Sequence, residues 1–159
     1  MNRINIRQGT LSDANDIVEM AIALSAHEGE PAPPFGAREF GLYGFGEKKL
    51  FDTFIAEYNT IIVGYLLFCD SFHVGAGTPG LHMIDLFVKV QYRKLGVGRA
   101  LMKALARTCL EREGTWLTWE SVPYNTEALS FYSSLGARKF AAANFELADY
   151  ALVEMSRIP

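Results

Sequence analysis

A glycine-rich turn is the clearest candidate for chemistry in this sequence. Arg93, Gly96 and Gly98 form the pattern R-x-x-G-x-G, directly after an apolar stretch and before a predicted helix. The first turn of a helix has unpaired N–H groups and the positive end of the helix dipole, so sequences usually place Asp or Glu there. No acidic residue occurs between Asp85 and Glu111, although six basic residues do. We therefore expect an external anion at this turn.

The spacing of the glycines limits which anion can bind. A Walker-type loop requires G-x-x-x-x-G-K-[ST], which the sequence lacks, and a dinucleotide fingerprint requires a third glycine where Leu101 stands. Successive N–H groups of such a turn form a concave nest that suits a pyrophosphate. The alternative is a turn that only begins a solvated helix, with Arg99, Lys103 and Arg107 on its wet face.

Two acids and one tyrosine are candidates for moving protons. Asp85 in HMIDLFV and Glu120 in TWLTWESV lie inside apolar stretches that we predict to be strands. Burial would raise the pKa of either carboxyl group towards the range that a general base needs, whereas an acid that points to solvent would have no such role. Tyr132 shares a predicted helix face with Ala128 and Leu135, so the alternative for this residue is a half-buried place in the core.

These residues must be positioned by strands and helices that alternate along the chain. Alternating apolar residues predict strands, and a 3.6-residue period predicts helices. The predicted strands cover residues 5–7, 54–57, 61–68, 81–88 and 116–122, and a final hairpin covers 139–155. The predicted helices cover residues 14–26, part of 37–50, 97–113 and 126–135. The stretches HEGEPAPPFG and HVGAGTPG are predicted to be irregular loops.

Composition and charge favour a single α/β domain over residues 1–159, with a net charge of −3 and half of the residues hydrophobic. An acidic chain with one basic turn argues against nucleic-acid binding, which needs an extended basic face. We expect neither a signal peptide nor a membrane span. Cys69, Cys109 and the three histidines lack the spacing of a disulfide framework or a metal site, so we expect a cytoplasmic protein without a metal.

Two motifs, in the right order and at the right separation, resemble those of the GCN5-related N-acetyltransferases (GNAT). LFVKVQYRKLGVGRALMKAL is similar to the acetyl-coenzyme A motif of the family, and NTEALSFYSSLGA is similar to its N-x-x-A-x-x-x-Y-x-x-x-G segment. INIRQGTLSDANDIVEM and GFGEKKLFDTFIAE look most like the diamine and polyamine acetyltransferases, so the resemblance covers nearly the whole chain. It implies the GNAT fold, a mixed and mostly antiparallel twisted sheet that is splayed at the centre, with helices on both faces.

The resemblance also implies a site for acetyl-coenzyme A (acetyl-CoA). Backbone groups of Leu86, Phe87 and Val88 would pair with the pantetheine arm as an added strand would. Asn125 would reach the cofactor from the other side, and Tyr132 would be the general acid near the thioester sulfur. The residues implied at the pyrophosphate are those of the glycine turn, namely Arg93, Lys94, Leu95, Gly96, Val97, Gly98 and Arg99.

The acceptor that the resemblance implies is an amine, which carries a proton near neutral pH and must lose it before it can react. Glu120 lies twelve residues before Tyr132, a spacing similar to the glutamate and tyrosine pair of the ribosomal-protein N-terminal acetyltransferases. Glu120 is therefore the preferred base. Asp85 matches a substrate-contacting acid of the polyamine enzymes, and it would bind the cation together with Glu28 and Glu30.

We expect direct acetyl transfer to a small monoamine, an amino-acid-like amine or a peptide N-terminus. The polyamine enzymes carry a glutamate where this chain has Ile84, and HVGAGTPG contains no acid, so spermine is expected to be a poor substrate. The alternatives are a diamine or polyamine acetyltransferase, a non-catalytic CoA-binding sensor and a nucleotide-binding regulatory domain. The resemblance also implies a homodimer as one oligomeric state, because the family often dimerises.

Overall fold

A computed structural model describes residues 3–157, and their strands form one five-stranded sheet. The strands are β1 (Ile4–Gln8), β2 (Asp52–Tyr58), β3 (Ile61–His73), β4 (Thr78–Val88) and β5 (Leu117–Thr118). They follow one another across the sheet in chain order; β1 to β4 are antiparallel, and β5 is parallel to β4. The α-helices of the described residues are α1 (Ala14–His27), α2 (Ala37–Gly44), α3 (Val97–Glu111), α4 (Thr126–Ser134) and α5 (Asp149–Ser156).

Helices cover both faces of the sheet, because the central strands are apolar on both sides. On one face, Leu101 of α3 packs in a buried cluster that includes Leu66 of β3. Neighbouring residues of a strand point to opposite faces, and Tyr65 accordingly belongs to a second cluster, with Ile17 of α1 and Phe87 of β4. The predicted mixed sheet with helices on both faces is confirmed.

The hairpin of β3 and β4 is longer than the sequence predicts. His73 pairs with Thr78 and Phe72 with Pro79, so only residues 74–77 form the turn. The prediction of an irregular loop over all of HVGAGTPG was therefore wrong. β4 leaves the turn at Thr78, seven residues before Asp85, which corresponds to roughly 23 Å at about 3.3 Å per residue. Its lack of acidic residues thus says nothing about the surroundings of Asp85.

The fifth strand is shorter than predicted, and this opens the sheet beside β4. The sequence predicts a strand over residues 116–122, but β5 has two residues, which pair with Leu81 and His82. The chain then leaves the sheet, and the ring of Trp119 packs against that of Tyr132 with centroids 5.0 Å apart. Beyond His82, the described part of the chain sets no strand against this edge of β4. The predicted splay of the sheet is confirmed.

The predicted hairpin over residues 139–155 was wrong. Residues 137–148 have no regular secondary structure, and α5 follows them. A two-residue β5 offers almost no edge for a further strand, and Ala, Leu, Glu and Met in α5 are good helix formers. Many apolar side chains of this region stay exposed, among them Phe145, Leu147 and Tyr150.

The helices are short compared with the thickness of a bilayer. α3 has 15 residues, and no helix within residues 3–157 combines the length and the apolar character that crossing a membrane requires. The single domain over residues 1–159 stays a prediction. It agrees with one sheet that carries a buried cluster on each face.

Candidate active site

The glycine turn lies between β4 and α3 and has the backbone of an anion nest. Lys94 and Gly96 have positive φ angles of 61° and 91°, on either side of a residue that does not. Left-handed residues that alternate with ordinary ones turn successive N–H groups to one side, where they can surround an anion. The predicted residues that the turn and the start of α3 bring together are Lys94, Leu95, Gly96, Val97, Gly98 and Arg99.

The start of α3 adds N–H groups that have no partner inside the helix. The helix begins at Val97, which is buried, and its N-cap residue Gly96 has no side chain with which to cap it. No acidic residue lies in the first turn. The free N–H groups and the positive end of the helix dipole are therefore available to an anionic ligand.

Gly98 has a packing role that the sequence did not indicate. A Cβ atom at this position would lie 3.2 Å from Cζ of Phe131 in α4, which is tighter than ordinary van der Waals contact. Arg99, the next residue, donates from Nη2 to the Ser134 carbonyl oxygen at 3.3 Å. The start of α3 is thus held against α4, and replacing Gly98 would disturb this contact as well as any bound anion.

The side chain of Arg93 is already occupied by protein partners. Its Nη1 lies 2.9 Å from Oε2 of Glu127 in α4, and its Nε donates to the Val88 carbonyl oxygen at 3.1 Å. The guanidinium also lies 5.8 Å from the centroid of the Phe87 ring. Arg93 therefore connects the end of β4 to the first turn of α4. Its direct contact with a cofactor stays a prediction.

Asn125 also has a structural partner. Its Oδ1 accepts a hydrogen bond from the backbone N–H of Ala128 at 3.1 Å and so caps the start of α4. This bond explains why an asparagine suits the position even without a ligand. The predicted contact between Asn125 and a cofactor stays a prediction.

The edge of β4 that faces away from β3 is open over its last residues. Leu86, Phe87 and Val88 pair on their other side with β3, opposite Leu66, Tyr65 and Gly64. Because β5 ends after Thr118, this edge is free in the described part of the chain to pair with an extended ligand. The open edge leads along β4 towards the glycine turn. The pairing of these three residues with the pantetheine arm stays a prediction.

Asp85 belongs to a group of ionisable side chains that affect one another's pKa, here called the Asp85 cluster, which contains Tyr65, Asp85, Glu28 and Tyr132. The Tyr65 hydroxyl donates to Oδ2 of Asp85 at 3.0 Å. Burial raises the pKa of Asp85, and the negative charge of Glu28 raises it further, whereas the bond from Tyr65 lowers it. Asp85 is therefore a carboxyl group that accepts a proton more readily than an exposed aspartate.

Tyr132 belongs to the same cluster. Burial raises its pKa to about 12, and the negative charges of Glu28 and then Asp85 contribute. The ring packs against Trp119 and Phe131, with centroid distances of 5.0 and 5.4 Å. Tyr132 thus keeps its proton at neutral pH, as a general acid must.

Glu28 reaches the cluster from the end of α1. Its backbone N–H continues the hydrogen bonding of the helix, and its carbonyl oxygen accepts a bond from the Tyr124 hydroxyl at 3.1 Å. This bond ties the end of α1 to the segment before α4, and hence to the helix that carries Tyr132. The negative charges of Glu28 and Asp85 both raise the pKa of Tyr65 and of Tyr132.

Glu120 and Glu30 are not part of this group. Glu120 follows Trp119 after the chain has left the sheet, and it is exposed. The strand that was predicted to include it ends at Thr118, and of the two interpretations left open for Glu120 the structure supports the solvent-exposed one. Glu30 is also exposed, in the loop after α1, where its backbone N–H bonds to the Ser25 carbonyl. The roles of Glu120 as a base and Glu30 as a cation ligand stay predictions.

Tyr65 is the residue of the cluster that sequence reasoning missed. It lies in the apolar run 61–68, which is typical of a buried strand and gives no sign of a site. One signal was present, since a buried tyrosine usually needs a hydrogen-bond partner for its hydroxyl. The partner is fixed by the register of β3 and β4, in which Tyr65 opposes Phe87 and Leu67 opposes Asp85. That register cannot be read from β3 alone.

Comparison with known proteins agrees with this geometry. A sequence model of the acetyltransferase (GNAT) family matches residues 20–137. The thialysine N-epsilon-acetyltransferase of Sus scrofa is 25% identical over 152 residues, which cover 90% of this chain and 89% of the relative. An integron cassette protein from the mobile metagenome of V. cholerae matches the fold with a TM-score of 0.80 and 22% identity, over 98% of each chain.

A further solved structure has the same fold. It is an aminoglycoside N-acetyltransferase in complex with CoA, which matches with a TM-score of 0.74 and 18% identity, over 92% of this chain and 95% of the other. The nest, the free N–H groups of α3 and the open edge of β4 fit the pyrophosphate and the extended arm of such a ligand. With the family match covering most of its length, the chain belongs to the GNAT family and is an N-acetyltransferase that uses acetyl-CoA.

Proposed function

We propose that the enzyme acetylates the primary amine of a small, amino-acid-like molecule, whose ammonium group binds between Asp85 and Glu28. The observations that carry the proposal are the hydrogen bond from Tyr65 that holds Asp85 and the negative charges of Asp85 and Glu28, which both raise the pKa of Tyr132. Two carboxyl groups favour a cation over an anion. The thialysine N-epsilon-acetyltransferase among the relatives, named for an amino-acid amine, agrees with this class of acceptor.

We assign the proton transfers to Asp85 and Tyr132. When bound, acetyl-CoA supplies the acetyl group as a thioester. Asp85 takes a proton from the acceptor ammonium at a carboxylate oxygen, and its raised pKa makes the carboxyl group a better base than an exposed aspartate. Tyr132 holds a proton at Oη for the leaving thiolate. The exposed position of Glu120 gives it no comparable support, so Asp85 replaces Glu120 as our preferred base.

For acetyl-CoA we assign three contact regions. The glycine turn and the first turn of α3 would hold the pyrophosphate through backbone N–H groups. The open edge of β4 at Leu86, Phe87 and Val88 would pair with the pantetheine arm. Asn125 would contribute its amide nitrogen, because its oxygen already caps α4.

Binding of CoA should depend on the left-handed conformation at Gly96. CoA at about 100 times its Kd should raise Tm by roughly 5–10 °C, because a ligand that binds only the folded state stabilises it. In Gly96→Ala, the left-handed backbone costs about 1–2 kcal/mol, so we expect the turn to relax and the CoA affinity to fall by about tenfold. Tm with and without CoA, and calorimetric titration, measure both effects.

Gly77→Ala is the matched control, since Gly77 also has a positive φ of 66° and, like Gly96, has space around an added Cβ. It should lower Tm through the same backbone strain but leave the CoA affinity unchanged, because Gly77 lies in the turn between β3 and β4. Equal CoA affinity of Gly96→Ala and wild type would contradict the assignment of the pyrophosphate to this turn. Gly98→Val is a poorer test because of the contact with Phe131.

Amino-acid amines, whose α-ammonium group is balanced by the carboxylate of the same molecule, should outperform spermine, which carries several unbalanced ammonium groups, in kcat/KM. The side chain of Ile84, beside Asp85, is 46% exposed and offers no charge to a second, distant ammonium group. We expect thialysine and lysine to lead a panel that also contains simple monoamines, a dipeptide and spermine. CoA release at fixed pH measures the order. If kcat/KM for spermine or spermidine exceeded that of every other acceptor by a wide margin, the enzyme would be a polyamine acetyltransferase.

We also propose a homodimer and a cytoplasmic location. The exposed apolar side chains around α5, such as Phe145 and Tyr150, support an interface with a second copy that would bury them. Cys69 and Cys109 are both free thiols, which fits a reducing compartment.

A further inference from the structure

Tyr65 is a buried residue whose only polar side-chain group points to the candidate base. Its side chain is fully buried, at 0% exposure, in the apolar cluster that joins α1 to the sheet. Its ring lies 6.5 Å from that of Phe87, centroid to centroid. Its hydroxyl donates to Oδ2 of Asp85 at 3.0 Å. This contact ties the Asp85 carboxyl group to the neighbouring strand β3.

A buried pair of a tyrosine and an aspartate is not an economical way to build a core. Removing a hydroxyl and a carboxylate from water costs free energy, and a hydrogen bond between them recovers only part of it. Two apolar residues of similar shape at these positions would often be as stable or more stable. The pair of Tyr65 and Asp85 therefore calls for an explanation other than the stability of the fold.

We propose that Tyr65 is a positioning residue, which keeps the Asp85 carboxylate ionised and engages Oδ2 so that Oδ1 is left for the acceptor ammonium. This inference rests on the proposed function, since it assumes that Asp85 acts on the acceptor. Tyr65 itself does not touch the substrate. It acts through Asp85 because its phenol is held by β3 and by the packing around it.

The charges around Asp85 give the direction of the effect. Tyr65 from β3 donates a hydrogen bond to it, and it interacts electrostatically with Glu28 from the end of α1 and with Tyr132 from α4. Burial and the charge of Glu28 raise the pKa of Asp85, and the Tyr65 hydroxyl is the group that lowers it. Without that bond the pKa would rise further, and a larger share of the enzyme would carry a protonated Asp85, which cannot take a proton from the acceptor.

Tyr65→Phe tests the proposal with little change in shape. Activity requires an ionised Asp85, so kcat/KM is lost as the pH falls through the pKa of this group, and the variant should lose it at higher pH than wild type. On the acidic side of the profile we expect about a tenfold lower kcat/KM, the effect of one lost hydrogen bond to a charged group. Well above that pH the two enzymes should converge. A merely structural defect would lower the rate at every pH.

A measurement without turnover separates this inference from the proposed function. In protein labelled with 13C at the aspartate carboxyl groups, NMR titration follows the pKa of Asp85, whose signal is assigned by its absence in Asp85→Asn. We expect the pKa of Asp85 to be higher in Tyr65→Phe than in wild type and unchanged in Tyr58→Phe. Tyr58 is a half-buried tyrosine that packs against the buried apolar cluster on the other face of the sheet. An unmoved pKa in Tyr65→Phe overturns the positioning role. A displaced pKa with an unmoved rate profile keeps that role and overturns Asp85 as the base.

Replacing Tyr65 by 3-fluorotyrosine should change the pKa of Asp85 in the opposite direction, and it provides a second test if Tyr65→Phe folds poorly. The fluorinated phenol is more acidic and therefore a stronger donor, so the pKa of Asp85 should fall and the acidic side of the profile should move to lower pH. Changes in opposite directions from Tyr65→Phe and from the fluorinated residue support the hydrogen bond as the cause. A change of the Asp85 pKa in the same direction in both variants contradicts the proposal.

Discussion

Tyr132→Phe should lower kcat by on the order of 10²–10⁴ while the affinity for CoA stays unchanged, which is the range for a positioned general acid. The phenol has a pKa of about 12, so it carries its proton throughout the neutral range. Phenylalanine has no proton to give, but it keeps the contacts of the ring with Trp119 and Phe131. Single-turnover rates and CoA titration measure the two quantities separately.

The pH dependence of Tyr132 has a definite sign. A general acid with a pKa of about 12 is active below that value, so Tyr132 should produce no loss of kcat up to about pH 10. Tyr150→Phe is the matched control, because Tyr150 is a 75% exposed tyrosine of α5 and should leave kcat unchanged. Equal single-turnover rates of Tyr132→Phe and wild type would make Tyr132 a core tyrosine that happens to lie in the motif.

The glycine turn could be predicted from the sequence because its signal is local. Glycines at fixed spacing and the absence of acidic residues over more than twenty positions are visible without any tertiary contact. The structure adds the left-handed conformation of Lys94, which could not be predicted from the residue type because lysine rarely adopts it. It also shows that Gly98 and Arg93 have packing and ion-pair roles with α4, and these depend on how two helices meet.

The Asp85 cluster could be predicted only in part, since its members come from distant places in the chain. Asp85, Glu28 and Tyr132 were each recognised as candidates, but the hydrogen bond from Tyr65 depends on the register of two strands. Glu120 illustrates the converse. An apolar pattern around it predicts a strand, yet within residues 3–157 the pairing of β5 ends at Thr118, and Glu120 is exposed. Apolar alternation indicates that a strand can form and leaves open where its partner ends.

The prediction for the C-terminal segment was wrong for the same physical reason. Residues 139–155 alternate well enough to suggest a hairpin, but a hairpin needs an edge or an apolar face to cover. β5 supplies two residues of edge, and helix propensity then decides the conformation of α5. Patterns thus predicted the central strands, which have partners on both sides, better than the elements at the open end of the sheet.

Asp85→Asn should cause the second large effect, a loss of kcat/KM on the order of 10²–10⁴ at neutral pH. The amide cannot take a proton, so only acceptor that is already deprotonated in solution can react. For a lysine-like amine, with a pKa of about 10.4, that fraction is below roughly 10⁻³ at pH 7. The rate of the variant should therefore rise with pH up to the pKa of the acceptor, whereas wild type reaches its plateau earlier.

The size of the loss should depend on the acceptor. A peptide α-amino group, with a pKa of about 7.7–8.0, is partly deprotonated at pH 7 and should lose less activity in Asp85→Asn than a lysine-like amine does. Glu120→Gln is the matched control, since it makes the same change from carboxylate to amide at an exposed position. A loss that follows the acceptor pKa in Glu120→Gln and not in Asp85→Asn would restore Glu120 as the base.

Stability should change in the opposite direction from activity at Asp85. The folded-state pKa of this group is raised, so its ionised form is disfavoured by folding, and the group destabilises the protein above its unfolded pKa. Asp85→Asn removes this charge, and the asparagine Oδ1 can still accept the hydrogen bond from Tyr65. We therefore expect Tm at pH 7 to stay the same or to rise while kcat/KM falls. Replacing a residue with a purely structural role would lower Tm and kcat/KM together, whereas an acid that is retained for its chemistry is expected to lower the stability of the wild-type protein.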